Sequence, residues 1–262
     1  MAPRLETRQL TKSFPASGGP DPLEVLAGVD LRLEDGEFVS VLGPSGCGKT
    51  TLLNLVAGLE QPTSGEILMD GSPEARLLGD AGLMPQSDLL MPWRTVLDNV
   101  ALPLELAGLG RREARRQAEG DLGRFGLEGF GDAWPHQLSG GMRQRAALLR
   151  TFLSGHRFVL LDEPLGALDA MTRQAMQRWL GEVCRESSRT VLFVTHDVEE
   201  ALILSDRIYL LSPRPASVEL MLEVDLPRPR SYRETSTDPH FVALKAELLE
   251  ALTPPTIGMD LR

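Results

Sequence analysis

The sequence predicts an α/β fold: a phosphate-binding core, with a small antiparallel β portion ahead of it and an all-α segment inserted into it. Three observations predict this. The apolar run Phe38-Val39-Ser40-Val41-Leu42 leads directly into Gly43-Pro44-Ser45-Gly46-Cys47-Gly48-Lys49-Thr50, and a helical pattern starting at Thr51 follows. Two further buried-type runs, Phe158–Pro164 and Thr190–Asp197, carry polar residues at their ends, as central parallel strands do at the edge where ligands bind. From Thr95 to about Phe125 the pattern is helical throughout, unlike the sequence on either side.

The spacing G-x-x-x-x-G-K-T has a mechanical reason. Small residues let the backbone curl around an anion, so that successive N–H groups and the positive end of the next helix converge on phosphate oxygens. Lys49 adds a mobile charge, and Thr50 places a hydroxyl where Mg²⁺ bridging the outer phosphates needs a hard oxygen ligand. A glycine-rich turn that binds nothing leaves Lys and Thr together unexplained.

Bulk composition narrows the function classes. At 262 residues and 42% hydrophobic content the chain can bury one large α/β domain or two small ones. A formal net charge of -10 supplies no global field for nucleic acid, so no nucleic-acid partner is expected, and any phosphate ligand must be held by a local site. Of the two cysteines, Cys47 lies inside the phosphate loop, where a disulfide to Cys184 would lock the backbone; a reducing cytoplasm fits best. The start, Met1–Glu6, has no apolar signal region, and no apolar run is long enough to cross a bilayer, so membrane association is expected only through a partner.

Ahead of the phosphate loop, Arg4–Leu10 and Val25–Leu33 alternate charged and apolar residues as half-buried antiparallel strands do. Phe14 precedes the loop Pro15–Pro22, either as an exposed platform for a flat base or as an ordinary core residue. Glu66–Met69 reads as a strand entering the Asp70-Gly71 turn, and Ala81–Gln86 as a buried strand ending at a polar residue. The following Ser87–Arg94 is unusually apolar for a connection: Leu89, Leu90, Met91 and Trp93 form either a docking surface or a loop folded back on the core. Within the helical segment Val96, Val100 and Leu104 share a stripe, and Arg111–Gln117 forms a charged, solvent-facing helix.

Leu138-Ser139-Gly140-Gly141-Met142-Arg143-Gln144 starts another helix, with Ser139 as N-cap and two glycines exposing the first amides: a second anion site, or merely a helix start. Phe158–Asp162 delivers Asp162 and Glu163 to the ligand edge, Asp162 to reach Mg²⁺ through water and Glu163 to polarise an attacking water beside the terminal phosphate. Leu165–Asp169 forms a tight turn before a helix from about Met171 to Ser187. His196, at the tip of the next strand, lands on the same edge as Glu163, whereas His136, His156 and His240 have no such setting.

With these residues assembled, the chain resembles the ATP-binding subunits of ABC transporters from about Leu5 to Arg230. The motifs occur in that family's order: the phosphate loop Gly43–Thr50, Gln86 of the Q-loop, the signature Leu138–Gln144, the Asp162-Glu163 pair, the D-loop Leu168-Asp169 and the switch His196. The resemblance implies an ABC ATPase domain over 1–230, a helical subdomain over about 87–155 inserted in the core, and a C-terminal helical extension over 231–262. It implies ATP and Mg²⁺, with two copies paired head to tail so that Ser139, Gly140 and Gly141 of one close on the ATP held by the other. In that scheme Glu163, His196 and Lys49 are catalytic. Phe14, residues Gly43, Pro44, Ser45, Gly46, Cys47, Gly48, Lys49, Thr50 and Thr51, then Gln86 and Asp169, contact nucleotide. Thr50, Gln86 and Asp162 hold the metal. No catalytic position departs from the family pattern, although Leu165 stands where many relatives carry Phe.

Gly43–Gly48, Met91–Val96, Glu163–Asp169, Leu211-Ser212-Pro213-Arg214-Pro215 and Leu226–Arg230 are similar to the nitrate/sulfonate/taurine importer subgroup, which also contains importers of thiamine-precursor pyrimidines. The expected partners are integral-membrane permease subunits and, through them, a substrate-binding protein, at the cytoplasmic face of the membrane. The alternatives are a soluble ABC ATPase of DNA repair or translation and a P-loop kinase. The first calls for long coiled coils or a second cassette with a basic linker, and the second leaves Ser139-Gly140-Gly141 and Gln86 without a role.

Overall fold

The computed structural model describes residues 2–15, 21–73 and 77–253. In chain order the elements are β1 (Leu5–Phe14), β2 (Leu23–Leu33), β3 (Phe38–Leu42), α1 (Lys49–Val56), β4 (Ser64–Met69), β5 (Gly82–Met84), α2 (Val96–Leu106), α3 (Arg111–Leu122), α4 (Gly140–Leu153), β6 (Phe158–Asp162), α5 (Ala170–Glu186), β7 (Thr190–Val194), α6 (Val198–Leu204), β8 (Arg207–Leu211), β9 (Val218–Glu223), α7 (Tyr232–Thr235) and α8 (Pro239–Leu252).

The strands form two sheets, an antiparallel one in the order β2-β1-β4 and a larger one in the order β5-β6-β7-β3-β8-β9. In the larger sheet β5, β6, β7, β3 and β8 run parallel and β9 joins antiparallel at one edge. Its central strands β3, β6 and β7 are buried at every position, because each feeds two cores. Phe38, Leu42, Val159, Leu161, Val191 and Phe193 face one core. The alternate residues Val39, Val41, Leu160, Leu192 and Val194 face the other, together with the antiparallel sheet. Parallel strands in register bring the C-terminal ends of β3, β7 and β6 to one edge, with β7 in the middle. That edge carries the phosphate loop, His196 and the Asp162-Glu163 pair.

The helical segment between β5 and β6 is held at its start by Thr95, whose hydroxyl accepts from the Asp98 N–H at 3.2 Å, a cap worth about 1 kcal/mol. The stripe Val96, Val100 and Leu104 is buried as its spacing requires. The continuous helical pattern is nevertheless broken at Gly108, whose φ of 98° only glycine adopts cheaply, so α2 and α3 are separate. Arg111 and Arg115 on α3 reach back to the buried Asp98 on α2, at 3.1 and 2.5 Å. Burial raises the Asp98 carboxyl, but these two guanidinium groups outweigh it and leave the group below the usual carboxylate range.

After β9 the chain turns back across the core. Arg230 is buried and donates to the carbonyls of Leu202, Ser205, Val224 and Leu226, and burial pushes its pKa down to about 10. From there α8 lays Phe241, Leu244 and Leu248 into the main core, and Lys245 pairs with Glu199 of α6 at 2.5 Å. Within the expected helical extension α8 starts at Pro239, behind an Asp238 cap, and packs on the core; residues 254–262 of that extension lie outside the described ones. Among the described residues no helix is long and apolar enough to cross a membrane.

Candidate nucleotide site

The loop between β3 and α1 curls as its glycines permit. Gly48 has φ 127°, and a Cβ there would meet Val25 Cγ1 at 2.8 Å, so only glycine fits between the loop and β2. Lys49 is buried, its ammonium donating to the Gly43 carbonyl at 2.7 Å and the Pro44 carbonyl at 3.0 Å, which holds the charge inside the curl. The Cys47 side chain turns inward into the core and leaves only backbone for a ligand. The first amides of α1, at Lys49, Thr50 and Thr51, lack intrahelical partners of their own, as at any helix start.

At the end of β6, Asp162 accepts a hydrogen bond from the Thr50 hydroxyl at 2.8 Å. Burial pushes this carboxyl up, and the Thr50 bond pulls it partly back. Glu163 follows with φ 47°, a left-handed conformation costing a non-glycine residue about 1–3 kcal/mol. Two bonds hold it there: its N–H donates to the Val194 carbonyl at 2.9 Å, and its carbonyl accepts from Gln144 Nε2 at 2.9 Å. The strained turn aims the carboxylate along the sheet edge. Its Oε2 lies 3.3 Å from His196 Nδ1 and 3.4 Å from Gln86 Nε2.

A cleft of about 450 Å³ opens beside Glu163, with Asp162 and His196 outside its lining; Phe14, Leu23 and Val25 line it from the antiparallel sheet, and Ser45, Gly46, Gly48, Lys49, Thr50 and Thr51 line it from the loop and α1. Gln86, Glu163 and Arg214 complete it. Phe14 lies at the end of β1, half-buried against the second core with the Lys12 ammonium 4.8 Å from its ring centroid, so it is neither the freely exposed platform nor a wholly internal residue.

Ser139, Gly140 and Gly141 do not line this cleft. Ser139 caps α4, its hydroxyl accepting from the Met142 N–H at 3.3 Å. Gly140 lines a different cleft with Asp88, Arg143 and Ala167, and Gln86 borders both. Asp169 likewise stands apart, as N-cap of α5, where its carboxylate accepts from the Thr172 N–H at 3.1 Å. His156 is a structural hydrogen-bonder, with Ser154 Oγ at 2.8 Å and the Gly79 carbonyl at 3.1 Å.

Three residues near the site carry more than the sequence suggests. Gln144 clamps Glu163 through its Nε2 and accepts from the Ala167 N–H at 2.8 Å through its Oε1, joining α4, the strained turn and the D-loop; its place inside the signature was the available signal. Arg173 donates to the Leu168 carbonyl at 3.0 Å and pairs with Asp197 and Glu200 at 3.8 and 3.6 Å, so it links the D-loop to the segment after His196; no pattern marks it. Arg214 belongs to the Leu211–Pro215 stretch.

The donors suit Mg²⁺. A Thr50 hydroxyl beside the Asp162 carboxylate, with Gln86 within reach of Glu163, offers hard oxygens. Among the described residues no three His, Cys, Asp or Glu side chains cluster to hold a metal alone. Such a set fits a cation that completes its shell from phosphate oxygens and water.

A family model described as ABC transporter matches residues 26–166. An uncharacterized ABC transporter ATP-binding protein of Methanocaldococcus jannaschii is 43% identical over 252 residues, covering 96% of this chain and 92% of that protein. An aliphatic sulfonates import ATP-binding protein of Rhodococcus jostii is 49% identical over 87% of both chains. A nitrate import ATP-binding protein of Synechococcus elongatus is 45% identical over 87% of this chain, which spans only 35% of that longer relative. Among solved structures, a dimeric post-hydrolysis state of an ATP-binding cassette bound to ADP and Pi superimposes with a TM-score of 0.77 at 32% identity, covering 85% of this chain and all of the other. The loop, the acidic pair and these relatives agree: the chain belongs to the ABC transporter family, as an ATP-binding, ATP-hydrolysing subunit of the importer type.

Proposed function

We propose that two copies of this chain clamp Mg-ATP between them and so energise a membrane importer of a small organic or inorganic anion or a thiamine-precursor pyrimidine. The observation that carries the pairing is that the loop residues Ser45, Gly46, Gly48, Lys49 and Thr50 line one cleft, whereas Gly140, at the head of the helix that Ser139 caps, lines another. Each is half of an anion site, and a head-to-tail partner supplies the other half. The importer assignment draws on the sulfonate and nitrate import relatives.

Within each composite site the loop amides and Lys49 hold the phosphate chain, and Phe14 and Val25 flank the base. Glu163 accepts a proton from the attacking water and keeps it oriented, while His196 steadies that carboxylate and reaches the terminal phosphate. Thr50, Gln86 and Asp162 would hold Mg²⁺, which would supply positive charge against the phosphates. Ser139, Gly140 and Gly141 of the second copy cap the same phosphates with a helix N-terminus. ATP thus favours the closed pair, and loss of phosphate reopens it.

Coupling to a permease runs through the segment after Gln86. Leu89 and Trp93 are 63% and 72% exposed there while Leu90 is buried in the main core, so the segment folds back at Leu90 and leaves the other two side chains open to a docking partner. The permease would hold the chain peripherally at the cytoplasmic face and connect it to a substrate-binding protein. The test is co-purification with the neighbouring permease: Trp93→Ala should weaken that complex while leaving ATP affinity unchanged, and equal loss of both would point to misfolding.

A further inference from the structure

Two cations line the nucleotide cleft, Lys49 and Arg214. Lys49 is buried and spoken for by the Gly43 and Pro44 carbonyls. Arg214 stands on the connection from β8 to β9, exposed, and among the described residues it makes no ion pair and no side-chain hydrogen bond.

The connection that carries Arg214 is fixed. On its far side Ala216 is fully buried, its N–H donating to the Val25 carbonyl at 2.9 Å and its carbonyl accepting from the Ala27 N–H at 2.8 Å. The Ser212 N–H donates to the Ser217 carbonyl at 3.0 Å, and the Ser217 N–H donates to the Ser212 hydroxyl at 2.9 Å, closing the loop at its base. The connection that carries Arg214 is therefore anchored, through Ala216, on the β2 backbone that supplies Val25 to the cleft. Its guanidinium leans on the phosphate loop itself: Nη2 lies 3.3 Å from where a Cβ on Gly46 would stand.

We propose that Arg214 binds the phosphate chain of the nucleotide, as a second cation beside Lys49. This rests on the ATP-binding reading given above and extends it to a residue to which that reading gives no contact with nucleotide. The chemistry favours phosphate over base. A planar guanidinium pairs two donors with phosphate oxygens, and a chain of net charge -10 repels a polyanion at long range, so a solvent-facing local cation matters most at the mouth.

The experiment compares wild type, Arg214→Gln and Arg214→Lys in titrations with ATP, ADP and adenosine at two salt concentrations, with melting temperature as the folding control. Arg214→Gln is expected to weaken ATP and ADP by about tenfold while leaving adenosine within twofold, to flatten the salt dependence of ATP binding and to leave the melting temperature of the nucleotide-free protein unchanged. Arg214→Lys is expected to restore part of the loss. ATP affinity within twofold of wild type, or equal losses for ATP and adenosine, would overturn the assignment. Failure of the wild-type protein itself to bind ATP would overturn the nucleotide reading, a separate result.

Discussion

The Glu163 carboxylate lies 3.3 Å from His196 Nδ1, across the ends of two neighbouring parallel strands. The contact exists because β6 and β7 run in register, so residues just past Asp162 and Val194 emerge side by side. The proposed base and the proposed orienting group are thereby set at the ends of rigid elements, with the strained Glu163 turn held by Gln144 and Val194.

Glu163→Gln keeps the shape and removes the base. ATP turnover should fall by about 100- to 10,000-fold, with nucleotide affinity retained, as phosphate release and equilibrium binding measured side by side would establish. A small fall in turnover would assign the base elsewhere.

Lys49→Ala removes the buried ammonium and leaves the Gly43 and Pro44 carbonyls without their donor. Affinity for ATP should drop by about tenfold or more, and hydrolysis with it. Titration with ATP and a steady-state assay read both effects.

Gln144 touches no expected ligand and acts through the residues it joins. Gln144→Leu should lower kcat by about tenfold with little change in KM, because Glu163 loses its brace, and should cost about 1–3 kcal/mol of stability through the unsatisfied Glu163 carbonyl and Ala167 N–H. A fall in stability alone, with kcat unchanged, would make Gln144 a purely structural residue.

Asp98 gives the helical segment an acid-sensitive joint. Burial raises its pKa, but Arg115 and Arg111 more than offset this, so the folded value lies below the unfolded one. The stabilisation is fully present above the unfolded value of about 3.9 and is lost as pH falls through the folded value. Denaturant unfolding of wild type and Asp98→Asn should differ by about 1–3 kcal/mol at pH 7, and the two stabilities should converge below about pH 4.

Arg230→Ala should destabilise by about 2–5 kcal/mol, because it leaves the carbonyls of Leu202, Ser205, Val224 and Leu226 without their shared donor. Thermal unfolding of the nucleotide-free protein measures it directly.

Much of the fold and of the cleft was legible in the sequence, because the central parallel strands are short, mostly apolar runs and because a phosphate loop needs fixed residue types at fixed spacing. What escaped has equally physical reasons. In α6, seven residues long, every position but Glu199 is buried, so it shows no helical periodicity. Ile208–Leu211 showed only as an apolar run, and the edge strand β9 was not distinguished. The strand β1 continues past Leu10 to Phe14 through an irregular register, which hides the alternation. Gln144, Arg173 and Arg214 act through tertiary contacts to segments far away in sequence, and no local pattern encodes those.

The central claim is that ATP joins two copies, gripped by Gly43–Thr50 of one and capped by Ser139–Gly141 of the other. Light scattering of Glu163→Gln measures it most directly. Mg-ATP should double the mass from 28.7 kDa, and Ser139→Arg in the same background should abolish the doubling while leaving ATP bound. A mass that stays at the single-chain value with Mg-ATP saturating, or a doubling indifferent to Ser139→Arg, would contradict it.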